Sequence, residues 1–286
     1  MSEPPAVASR TYVIAGLRTH VLEAGGGRPV VLLHGGEWGG CAALTWSQVI
    51  PVLATRYRVI APDWLGFGDS AKVIDFEDPA GRRLAHLRAL LETLGATDAA
   101  FAGSSMGGAL LLAAVTSRPP VVTARALILA GAGGFVPDNA ARQEAGRYDG
   151  TFEGMRRFLR LLLHDPRHAD DDALVTRWHQ ASMRPGAFEV LAAARLSAPG
   201  TSPRSPFGRP DTTPYEQIKV PVLVAGGDSD TQRLPGWMDQ FVPRLPCARA
   251  VVYPGCGHLV PVDAAGAFAQ DALRFLLEAY PPEPPA

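Results

Sequence analysis

Short runs that are apolar at every position alternate along this chain with longer stretches of helical periodicity. The runs fall at 30–33, 59–61, 99–102, 126–130, 220–225 and 250–253. Such runs suit strands of a parallel sheet, where both faces are covered and no polar alternation is needed. Ahead of them, 11–14 and 19–23 flank Gly16 and predict an antiparallel hairpin at the sheet edge. Helical patterns over 80–94, 106–118 and 265–278, the last closed by Pro281, fit between and after the strands. Strands and helices in this alternation predict a doubly wound α/β sheet.

The alternation breaks once. From residue 133 to 214 no buried-strand run occurs, and helical patterns lie at 156–163, 171–181 and 188–196. This predicts a helical cap, residues 133–214, inserted in a core made of 1–132 and 215–286. Five prolines from Pro199 to Pro214 predict an extended return to the sheet, because proline removes a helical donor. A chain of 286 residues suits one such core with an elaboration.

Composition narrows the partners. Apolar residues make up 47% of the chain, enough for a buried core, and 27 basic residues nearly balance 28 acidic ones with no Lys/Arg block. That leaves no electrostatic footprint for nucleic acid and favours a small-molecule substrate. Three cysteines without CxxC spacing predict neither a disulfide framework nor a zinc site, which fits a reducing cytoplasm. The N-terminus lacks a signal-peptide pattern, and no run approaches the roughly 18 apolar residues of a membrane span.

The chemistry concentrates in three places. Gly103-Ser104-Ser105-Met106-Gly107 follows a strand run and opens a helical one, and glycines two residues either side of Ser105 permit a sharp strand-to-helix turn. Such a turn lifts a serine Oγ off the sheet beside a helix N-terminus, so Ser105 is the candidate nucleophile. His34-Gly35-Gly36-Glu37-Trp38-Gly39-Gly40 follows another strand. The backbone amides of Gly36 and Met106 are the candidate oxyanion donors, since two preorganised N–H groups stabilise a tetrahedral oxyanion. Neither Gly-Lys-Ser/Thr nor GxGxxG occurs, so no nucleotide cofactor is expected. His34 is expected to be structural.

His258 lies after the last strand run and before the last helix, where a general base would complete the order Ser, Asp, His. The strand 220–225 leads into Gly226-Gly227-Asp228-Ser229-Asp230. Asp230, three residues past Gly227, can turn back to hold the imidazole; Asp228 is the alternative, with turn capping as its other role. His20 in the hairpin and His86 on a helix suit packed or solvated roles. His164 and His168 lie a helical turn apart, but Pro166 between them argues against a metal-binding face, and no metal is expected.

These residues in this order resemble the α/β-hydrolase superfamily over nearly the whole chain, which implies a mostly parallel eight-stranded sheet flanked by helices. The segments His34 to Gly40, Trp46 to Pro51, Tyr57 to Asp63, Gly66 to Ser70 and Leu129 to Gly134 resemble the meta-cleavage product hydrolases. Those enzymes cleave a carbon–carbon bond in vinylogous 1,5-diketones formed by ring-opening dioxygenases. The resemblance implies a cap arginine that holds the dienoate end of the substrate, a setting that Arg177 matches, and a homodimer. It also implies that Thr45, Ser104 and Leu259 line the substrate region, at positions where the family usually has asparagine, asparagine and tryptophan.

Three functions compete. Carbon–carbon hydrolysis of a dienol-keto acid needs a cation for the carboxylate, such as Arg177. A carboxylesterase or lactonase acting on a small apolar ester needs only the serine machinery. A ligand-binding protein or non-hydrolytic catalyst on a hydrolase scaffold would not need the intact triad.

Overall fold

Each apolar run becomes a strand in the computed structural model, which describes residues 5–193 and 207–283. The strands are β1 (Ala8–Ile14), β2 (Leu17–Ala24), β3 (Pro29–Leu33), β4 (Arg58–Pro62), β5 (Asp98–Ser104), β6 (Thr123–Ala130), β7 (Val222–Gly227) and β8 (Ala248–Tyr253). They form one eight-stranded sheet in the order β1-β2-β4-β3-β5-β6-β7-β8. The first two are the antiparallel hairpin, β2 also pairs antiparallel with β4, and the other pairs are parallel. Leu33 pairs with Gly103, Gly103 with Leu129, and Ala130 with Ala225. That register brings the C-terminal ends of four strands to one edge, where α/β sheets carry their chemistry.

Side chains alternate between two cores. Val31, Leu33, Phe101, Leu127 and Leu129 pack with α3 (Pro79–Thr93) and α4 (Met106–Thr116), while Val30, Leu32, Ala102 and Ile128 meet α1 (Ala42–Trp46), α2 (Ile50–Leu53) and α11 (Ala265–Ala279). A short α10 (Val260–Asp263) precedes the last helix. β8 departs from the expectation of double burial: it ends the strand order, and Val252 on this edge strand is 53% exposed.

Between β6 and β7 the described residues hold α5 (Ala140–Ala145), α6 (Phe152–Leu162), α7 (Pro166–Ala169), α8 (Asp172–Ser182) and α9 (Ala187–Ala193). The helix expected at 188–196 starts as α9; its end, and residues 194–206 of the return segment, lie outside the described residues. In α6, Met155, Phe158, Leu159 and Leu162 fall at i, i+3, i+4 and i+7 and are buried together against Val175 and Trp178 of α8. Each such side chain contributes about 1.5–3 kcal/mol on burial. Trp38 and Leu259 of the core join the same cluster, so the insertion packs directly onto the sheet edge.

Candidate active site

Ser105 joins β5 to α4 with φ 48° and ψ −114°, a conformation that costs a non-glycine residue on the order of 1–3 kcal/mol. The surroundings hold it there: its amide donates to the Ala130 carbonyl at 2.9 Å, and its carbonyl accepts from Ala109 at 3.0 Å. A Cβ on Gly103 would stand 2.5 Å from the Gly108 backbone, and one on Gly107 would stand 2.6 Å from the His34 carbonyl oxygen. Clashes with backbone cannot be relieved by rotating a side chain, so α4 approaches the sheet this closely only over glycines.

The strained turn brings Ser105 Oγ to 2.8 Å from His258 Nε2, and His258 Nδ1 lies 2.8 Å from Asp230 Oδ2. A carboxylate accepts from Nδ1–H, which leaves Nε2 with a lone pair toward the serine hydroxyl. Burial by itself would push the Asp230 carboxyl up. The partnered imidazole of His258, the Gln232 amide at 2.8 Å and the Arg233 charge outweigh it and hold the group below its ordinary value. Asp228 is exposed and does not meet the imidazole; it accepts from Ser229 Oγ and from the Gly255 amide, each at 2.8 Å, and so ties the loops after β7 and β8.

Contacts with the insertion, which the sequence did not reveal, position this chain of groups. The last carbonyls of a helix have no acceptor role inside it. Here Leu162 accepts from the His258 amide at 2.7 Å and from that of Leu259 at 3.3 Å, and Leu161 accepts from Thr231 Oγ1 at 2.6 Å. The C-terminus of α6 therefore holds the histidine loop and the acid loop together. Arg233, 7% exposed, donates to the carbonyls of Gly131 (2.6 Å), Gly133 (2.9 Å) and Phe135 (3.3 Å), joining the acid loop to the start of the insertion.

The loop after β3 lies against the serine turn: a Cβ on Gly36 would come within 2.8 Å of Met106 Sδ. Met106 opens α4, where a backbone N–H has no acceptor within its helix. His34 donates from Nδ1 to the Gly35 carbonyl at 2.7 Å and accepts the Trp64 amide at Nε2 at 3.1 Å; burial lowers its pKa, so it is a neutral strut. Trp38 stacks on Phe188 at 5.1 Å and donates to the Ala145 carbonyl at 3.1 Å, clamping the loop to the insertion. Glu37, to which the sequence analysis assigns no role, is buried within this loop.

The family-derived positions divide. Thr45 on α1 and Ser104 immediately before Ser105 are buried, and the side-chain hydroxyl of each meets no hydrogen-bond geometry among the described residues. Leu259 is fully buried in the cluster shared with the insertion. Arg177 is exposed on α8, and no hydrogen bond or ion pair joins it to the Ser105 or His258 loops among the described residues. It lies on the exposed side of α8, whose buried face is taken by Leu174, Val175 and Trp178.

Three other histidines are held by side-chain partners. His20 pairs with Asp63 at 2.8 Å, His86 Nε2 lies 2.9 Å from Thr19 Oγ1, and His168 pairs with Asp263 at 2.8 Å. Among the described residues, His20, Asp63 and Asp69 bring possible metal ligands within 4.8 Å of one another. Asp63 is already engaged there, accepting from His20 and from the amides of Ala42 and Asp69. No helix among the described residues is long and apolar enough to cross a membrane.

A model of the alpha/beta hydrolase family matches residues 30–272. The chain is 31% identical to the 2-hydroxy-6-oxo-6-(2'-aminophenyl)hexa-2,4-dienoic acid hydrolase of Metapseudomonas resinovorans, across 95% of this chain and 91% of that one. It is equally identical, 31%, to the 2-hydroxymuconate semialdehyde hydrolase of Pseudomonas sp. strain CF600, across 94% of each. Its structure resembles the meta-cleavage product hydrolase CumD of Pseudomonas fluorescens IP01 with a TM-score of 0.81 and 26% identity, across 94% of this chain and 98% of that one. The chain belongs to the alpha/beta hydrolase family and is a hydrolase, and within that family it resembles the meta-cleavage product hydrolases.

Proposed function

We propose that this protein hydrolyses a carbon–carbon bond in a dienol-keto acid of the meta-cleavage type, with Ser105, His258 and Asp230 as catalytic residues and residues 133–214 as a cap. The observation that carries the serine chemistry is the hydrogen-bonded series Ser105, His258, Asp230, 2.8 Å at each step. Similarity to carbon–carbon hydrolases across nearly the full length supports the substrate class. His258 Nε2 takes the serine proton as Oγ attacks the ketone carbonyl, and Asp230 stabilises the imidazolium that forms. The amides of Gly36 and Met106 stabilise the oxyanion, a contribution of about 3 kcal/mol per donor. When the carbon–carbon bond breaks, the leaving carbon keeps the electron pair. A vinylogous second carbonyl delocalises that charge, and the imidazolium returns a proton. Water then releases the acyl group from Ser105 by the same base.

Cleavage of a small neutral ester is the second reading. The exposure of Arg177 favours it, as does the replacement of the family's usual polar and aromatic residues by Thr45, Ser104 and Leu259. A chromogenic dienol-keto acid and a short-chain aryl ester assayed side by side decide between them. Turnover of the dienoate with at least a tenfold higher kcat/KM supports the carbon–carbon reading, and ester-only activity overturns it.

A further inference from the structure

We propose that Glu37 is a positioning residue of the oxyanion loop and must be uncharged for the Gly36 amide to stabilise the oxyanion; this rests on the Ser105 chemistry proposed above. Glu37 directly follows Gly36, is 8% exposed, and folds its carboxyl back onto its own loop. A Cβ on Gly35 would lie 3.0 Å from Glu37 Oε1 and 2.9 Å from Cδ, and one on Gly40 would lie 3.3 Å from Cδ, so the carboxyl fills the space those glycines leave. The Gly40 amide donates to the Glu37 carbonyl at 2.8 Å, closing the turn around it. Oε1 has no hydrogen-bond partner among the described residues; the residue's own backbone amide and the Thr45 hydroxyl favour the ionised form, but less than burial opposes it.

Among the described residues no cation is paired with the Glu37 carboxyl. On the same loop the titratable groups are His34, kept neutral by burial, and Cys41, whose thiol burial pushes up to about 12. Helices α1 and α4 contribute no titratable side chain, and the insertion brings Tyr148, packed on Trp38, and Arg184, whose charge acts on Cys41 but which is paired with Asp69. Asp63, bonded to the Ala42 amide at the far end of the loop, is itself an anion. His258 lies beyond Ser105. Burial accordingly pushes the Glu37 carboxyl up to about 7. Ionisation sets a bare charge one residue from the oxyanion donor, where it repels the developing oxyanion.

The test is the rate at which a fluorophosphonate probe labels Ser105 between pH 6 and 9.5. For the wild type the rate falls at least about tenfold between pH 7 and pH 9, within the range set by losing an oxyanion donor. Glu37→Gln, which cannot ionise, loses the alkaline fall. Should that variant fold poorly on a thermal melt, Thr45→Val decides: removing a hydroxyl that favours the ionised form moves the fall to higher pH. A wild-type profile flat to pH 9.5, a fall that persists in Glu37→Gln, or a fall unmoved in Thr45→Val overturns the proposal. Absence of labelling, or labelling that survives Ser105→Ala, overturns the serine chemistry instead, and the proposal with it.

Discussion

A buried carboxyl without a cation is a stability liability that depends on pH, and Glu37 allows its size to be worked out. The folded protein holds this proton up to about pH 7, whereas an ordinary glutamate releases it near 4.5. Between those values the native state binds more protons than the unfolded chain, so stability falls as pH rises through the window and levels off above about 7. At about 1.36 kcal/mol per pH unit, the full interval corresponds to about 3 kcal/mol. Urea unfolding of the wild type and Glu37→Gln, followed by tryptophan fluorescence from pH 5 to 8.5, isolates this group, because every other titration is common to both proteins. The wild type should lose about 2.5 kcal/mol relative to the variant over that range. Any cost of fitting the amide appears as an offset independent of pH. A difference between the two proteins that stays constant from pH 5 to 8.5 refutes the argument that the site is dry and uncompensated.

Other changes probe the neighbouring groups. Ser105→Ala should remove probe labelling and lower kcat by roughly 10⁴ or more while far-UV circular dichroism stays unchanged. Asp230→Asn should lower kcat by about 10⁴ and Asp228→Asn by less than about tenfold, and the reverse order would transfer the orienting role to Asp228. Gly107→Ala should destabilise by about 1–3 kcal/mol and abolish activity, as measured by urea unfolding and initial rates, since its Cβ meets backbone that cannot yield. Arg177→Ala should change stability by less than about 0.5 kcal/mol, as for an exposed side chain, and alter dienoate kcat/KM less than about fivefold. A selective 10- to 200-fold loss on the dienoate would instead restore it as the carboxylate clamp, about 1.5–3 kcal/mol for a charge-assisted bond.

By itself the sequence determined what depends on local pattern. Continuous apolar runs such as 126–130 suit strands covered on both faces, and the six runs located six strands, although the last, β8, is exposed on one face. Glycines around Ser105 and after residue 34 mark backbone that must pass close to other backbone, and the structure places both loops at the same sheet edge. The short helices α1, α2, α5 and α7 were not legible, because four to six residues hold too few turns for periodicity to register. Tertiary structure alone decided what depends on distant segments meeting. Asp228 and Asp230 are chemically alike and two residues apart, and only the position of His258, 28 residues further on, separates the one that meets the imidazole from the one that ties a turn. The tether from Leu162 to His258 joins two loops that have no shared pattern. Arg177 turned outward because helical spacing specifies a buried stripe but not how far its flanks are covered. Glu37 became an uncompensated buried acid only when the loop, α1 and the insertion closed around it, since desolvation belongs to an environment and not to a residue type.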